Sequence, residues 1–104
     1  MKYEIRDKAF NKIEVEGETI KLRGYSEFEF ISHACIEENF GHLISISELL
    51  TGALVATGVD LKDVENIAMS NLKKVGPKKF REMIDKIMDD ISDSEHDAAY
   101  QNSL

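Results

Sequence analysis

The sixteen residues from Leu43 to Gly58 (LISISELLTGALVATG) carry a single charged side chain, Glu48. An apolar stretch of that length has to be buried, and the charged segments on either side have to arrange themselves around it. Ser45 precedes Glu48 by three residues, with Ile44 and Leu49 flanking the pair, which is the pattern of a helix capping box with its hydrophobic staple. The expectation is a central helix over 46–57. It is stopped by Gly58 at a left-handed position and has Gly52 in its interior, where a neighbouring element approaches closely.

The same grammar recurs on both sides. Ser26 and Glu29 form a second box between Tyr25 and Phe30, and Asp60 and Asp63 an acidic version between Val59 and Val64. Stops are expected at Gly41 and at Gly76-Pro77, with Pro77 opening a last helix. That helix carries an apolar stripe of Phe80, Met83, Ile84, Ile87, Met88 and Ile91. The helices are expected at 27–40, 46–57, 61–75 and 78–91.

Before them, Tyr3 and Ile5 alternate with Glu4 and Arg6, a short strand pattern within 2–9. KIEVEGETIKL (12–22) reads as a hairpin turning near Gly17, with Ile13, Val15, Ile20 and Leu22 on one face. The fold expected is α+β, an N-terminal antiparallel β-hairpin of two or three strands followed by about four α-helices. Residues 1–91 would form the domain and 92–104 a polar, acidic tail. The expected core comprises Ile13, Val15, Ile20, Leu22, Phe30, Ile31, Leu49, Leu50, Leu54, Val64, Ile67, Leu72, Phe80, Ile84 and Ile87.

At 104 residues and 42% hydrophobic content the chain is long enough to fold around one core without staples. Its one thiol, Cys35, suits a reducing compartment, and the start MKYEIRDK has no apolar signal region, so a cytoplasmic protein with no membrane segment is expected.

Charge is the most informative functional signal. The net charge is −7, and no Lys or Arg occurs between Arg23 and Lys62. Glu27, Glu29, Glu37 and Glu38 would then form an acidic rim on the first helix, a surface for a protein partner with a basic or helical face. Glu29, His33 and Glu37, spaced at i, i+4 and i+8, would share one face of that helix. One His with two Glu on a single helix lacks a second ligand pair, and no base stands near Cys35 in a known pattern, so no metal, no cofactor and no catalytic residue is expected. The chain reads as a non-enzyme.

KKVGPKKFR (73–81) holds five positive charges and no negative one. LKKVGPKKF resembles the hairpin of helix-hairpin-helix DNA-binding motifs, with Lys74 where that family has its first glycine. The resemblance implies a phosphate site from Lys73, Lys74, Gly76, Lys78, Lys79 and Arg81. The simpler reading is a helix end whose lysines complement the dipole, and the net charge disfavours nucleic acid as a partner.

The order of elements, with KIEVEGETIKL as hairpin, EFEFISHACIEENFG as first helix and an acidic C-terminal segment, resembles the small phage tail-assembly chaperones over about residues 12 to 91. That resemblance implies a non-enzymatic chaperone that sheathes a helical partner. The alternatives are a small acidic phage-type inhibitor occupying a nucleic-acid site on a host enzyme, and a weak nucleic-acid binder acting through the basic segment.

Overall fold

Alternation governs the first half of the chain. A computed structural model describes residues 1–6, 11–35 and 42–103, the last ten of these as backbone alone. It shows five strands, β1 (Lys2–Arg6), β2 (Lys12–Ile20), β3 (Phe30–Ala34), β4 (Ile44–Glu48) and β5 (Leu54–Gly58), and then two helices, α1 (Leu61–Val75) and α2 (Pro77–Ser103). The strands form one antiparallel sheet in chain order, β1-β2-β3-β4-β5.

This overturns the expected hairpin followed by four helices. Among the described residues, the helices expected at 27–40 and 46–57 are replaced by strands β3, β4 and β5; residues 36–40 and the stop expected at Gly41 lie outside them. The first-helix assignment of EFEFISHACIEENFG, on which the tail-chaperone resemblance leaned, therefore does not hold. ISISE alternates with period two, and so does EFEF, which ends at Phe30; at each place the alternation outweighs a single Ser-x-x-Glu match. The serine of the central box, Ser45, bonds across the sheet to the Thr57 hydroxyl at 3.1 Å, with no helix to cap. The Asp60 box is real: its carboxylate accepts from the Asp63 amide at 2.8 Å at the start of α1.

The turn expected at Gly17 is also absent. β2 runs straight through it and changes partner there: residues 12–16 pair with β1 and residues 17–20 with β3. A side chain at Gly17 would collide with the Ser32 carbonyl of β3. In a continuous strand Val15 and Ile20 fall on opposite faces. Ile13 and Val15 thus pair with Ile5 and Tyr3, while Ile20 stands beside Phe30.

Both helices pack on the Phe30–Ile46–Ala56 face of the sheet. α1 contributes Val64, Ala68 and Leu72, spaced by one turn each, and α2 contributes Phe80 and Ile84. The Phe80 ring sits edge-on to Phe28 at 4.7 Å and to Tyr25 at 5.9 Å, and 6.0 Å from Phe30. The Tyr25 hydroxyl donates to the Leu72 carbonyl at 2.6 Å, tying the β2–β3 connection to the end of α1. Tyr25, Phe28, Ile46 and Ala56 join the core without having been expected, whereas Leu50 and Leu54, expected inside, are 62% and 59% exposed. They leave the core because the segment is a strand–turn–strand, with Leu50 in the turn and Leu54 at the first, exposed position of β5.

β5 carries a bulge. Ala56 pairs with Ile46 and Leu54 with Ser47, leaving Val55 as the extra residue. Its carbonyl accepts from the Asn71 side chain of α1 at 2.9 Å, so α1 covers part of the β5 edge. No helix among the described residues is long and apolar enough to cross a membrane.

Candidate strand-accepting groove

The other sheet edge, β1, is arranged differently. The Gly17 amide donates to the Met1 carbonyl at 2.9 Å, and the Met1 ammonium to the Gly17 carbonyl at 3.3 Å, so these two residues form a doubly bonded pair. Antiparallel ladders alternate such pairs with unbonded ones. Met1, Tyr3 and Ile5 therefore turn their backbone groups toward β2, and Lys2, Glu4 and Arg6 turn theirs outward. At Arg6 the outward N–H and carbonyl are packed against Gly52, in the β4–β5 turn; even a methyl group at Gly52 would run into them. The outward groups of Lys2 and Glu4 have no backbone partner among the described residues.

This open stretch lines a groove of about 670 Å³, the size of an ordinary ligand site. Its far side is built from Glu27, Phe28 and Glu29, from Leu49 and Leu50, and from Arg81 and Ile84 of α2. The Leu49 amide donates to the Glu29 carbonyl at 2.8 Å and fixes the two loops side by side.

Glu48 holds that wall in shape. It is 2% exposed, yet its carboxylate is fully engaged: it accepts from the Leu50 amide (2.9 Å), the Thr51 amide (2.8 Å) and the Thr51 hydroxyl (2.6 Å). A charged acceptor closing a turn in this way makes strong bonds. Gly52 completes the turn at φ 73°, donating to the Glu48 carbonyl at 2.8 Å.

The predicted partner carboxylates have separate fates. Glu27 is ion-paired with Arg81 at 2.8 Å, and that guanidinium also lies 4.6 Å from the centre of the Phe28 ring. The hydrogen bond that Arg81 donates to the Glu27 carboxylate raises the Arg81 pKa above its ordinary value. Glu29 lines the groove and forms no ion pair among the described residues. Glu37 and Glu38 lie outside the described residues. The expected single face of Glu29, His33 and Glu37 fails because His33 sits on strand β3.

The basic segment flanks the junction between the two helices. Lys73 and Lys74 close α1, and Lys78 and Lys79 open α2, all exposed and without ion pairs among the described residues. Only Gly76 separates the helices, and its amide donates to the Leu72 carbonyl at 2.8 Å. Arg81 is turned to Glu27.

One constellation escaped the sequence reading. His33, 4% exposed, places Nδ1 at 2.7 Å from the Ala34 carbonyl and Nε2 at 2.8 Å from the Ser47 hydroxyl. A carbonyl only accepts, so Nδ1 carries the hydrogen and Nε2 accepts from Ser47. Burial lowers the His33 pKa, and the Ala34 bond offsets part of that. The pair resembles a nucleophile with its base, but both side chains are enclosed in the sheet and neither lines the groove. Its signal in the sequence was the alternation of Ser45 and Ser47, of which Ser45 was read as a helix cap.

No protein family, curated protein or solved structure matches the chain.

Proposed function

We propose that this protein is a non-catalytic protein-binding module that takes up an extended segment of its partner along β1. The observation that carries the reading is the open edge at Lys2 and Glu4, beside a groove with a preformed far wall. Four outward backbone groups, alternating donor and acceptor, are satisfied most fully by another strand, the pairing used in β-augmentation. The charges of Lys2 and Glu4 on that edge deter indiscriminate pairing. The reading keeps the broad class implied by the chaperone resemblance, a non-enzymatic binder, and replaces a sheathed helix with an extended chain.

The test is a selection of random seven-residue segments from a display library, followed by binding measurements on Glu4→Pro. Proline at position 4 removes an outward N–H and fills the edge with its ring, while the bonds of β1 to β2 come from its odd-numbered residues. Peptides selected on the native protein are expected to lose binding to Glu4→Pro while its melting temperature stays within a few degrees. Lys2→Pro serves as a second blocking variant if Glu4→Pro does not fold. Peptides that bind a folded blocking variant as well as the native protein, or no selected peptide at all, overturn the reading.

The rival reading as a nucleic-acid binder rests on Lys73, Lys74, Lys78 and Lys79. It requires a duplex affinity that falls steeply with salt; a random-sequence duplex is expected to show no measurable binding at physiological ionic strength.

A further inference from the structure

The groove also specifies the chemistry of the segment it takes, an inference that rests on β1 accepting a strand. Its ionised side chains are mostly engaged. Lys12 reaches Glu4 at 3.7 Å, Lys2 reaches Glu14 at 3.4 Å, Arg81 holds Glu27, and Arg6 has a partner of its own. The Glu48 carboxylate is saturated by the turn it closes. Glu29 is left as the carboxylate without an ion pair among the described residues. Leu50, 62% exposed, lines the same groove as Glu29.

We infer that the bound segment carries a lysine or arginine whose aliphatic stem lies on Leu50 and whose charge meets Glu29. Long cationic side chains present this combination of apolar stem and charged head. An acidic segment would meet Glu29 with like charge. A phosphate would leave the outward carbonyls of Lys2 and Glu4 without donors. The chain from Gly24 to Leu61 has no Lys or Arg to neutralise Glu29 from nearby in sequence.

The experiment repeats the random seven-residue selection on the native protein, on Glu29→Gln and on Glu29→Lys, and measures the selected peptides against the Pro-blocked variant. Glu29 is exposed, and neither substitution disturbs its carbonyl bond to Leu49. Native protein is expected to enrich Lys and Arg at one position, and Glu29→Gln to abolish that enrichment and weaken the selected peptides about two- to fivefold, the range of an exposed ion pair. Glu29→Lys is expected to reverse the preference toward Asp and Glu. If peptides bind and lose binding on Glu4→Pro, but show no cationic preference or keep it in Glu29→Lys, this inference falls and strand uptake stands. If no peptide is selected, or the peptides ignore the proline block, both fall.

Discussion

Glu48 is the residue with the largest stake in the site that its own side chain never offers to a ligand. Replacing it by alanine leaves the amides of Leu50 and Thr51 and the Thr51 hydroxyl without their acceptor in a buried turn. Hydrogen bonds to a charged group contribute about 1.5–3 kcal/mol, and orphaned donors add to the loss. Glu48→Ala is expected to cost about 3 kcal/mol, read as a shift in the urea midpoint; a cost below about 1 kcal/mol would mean that water replaces the carboxylate. His33 yields a pH prediction. Burial lowers its folded pKa below the ordinary value of about 6.5. The unfolded chain therefore takes up the proton first, and stability is full above about pH 6.5 and falls as the pH drops toward the folded value. Melts of native protein and His33→Gln at pH 7.5 and pH 5 isolate this contribution. The native protein should lose more stability on acidification than the variant, and an equal loss in both would remove His33 as the cause.

Among the elements, the β4–β5 turn and the loop before β3 decide whether the groove exists. Gly24 and Gly52 both have positive φ, 86° and 73°, but only Gly52 has a neighbour against its α-carbon, the backbone of Arg6. Gly24→Ala should cost about 1 kcal/mol from backbone conformation alone. Gly52→Ala should cost clearly more, and the excess in chemical denaturation reports the contact that anchors β1. Equal costs would show β1 to be held by β2 alone. These elements were only partly legible in the sequence. Short apolar runs do not separate strand from buried helix by periodicity alone, and the Ser-x-x-Glu spacing occurs by chance in an alternating strand. α1 was readable because two signals agreed: the Asp60 cap and the Gly76 stop. β1 was readable as a strand. That its outer edge stays open was not, because neighbour order in a sheet depends on long-range pairing that no local pattern encodes.

At the scale of the whole molecule, one aromatic side chain joins the layers. Phe80 touches Tyr25, Phe28 and Phe30, so α2 is fastened to the loop that forms the groove's far wall. Phe80→Ala is expected to cost about 3–5 kcal/mol. Glu27→Gln, which breaks an exposed ion pair, should cost less than about 1 kcal/mol. A comparable cost for both would place the anchoring of α2 in the Arg81 contact.

The division of β2 at Gly17 bears on how the molecule breathes. Within β2, β1 pairs with residues 12–16, Met1 joins Gly17, and β3 pairs with residues 17–20. Apart from the Arg6–Gly52 contact, the β1 ladder can therefore open while the ladders of β3, β4 and β5 stay closed. Proteins open in such cooperative pieces, each with its own free energy. In native-state hydrogen exchange the amides of Tyr3, Ile5, Ile13 and Val15 should exchange together, and earlier than those in the middle of β3 and β4. A strand arriving from outside would then act as a clasp. By pairing with Lys2 and Glu4 it would slow exchange across the whole β1–β2 ladder, including amides it never touches.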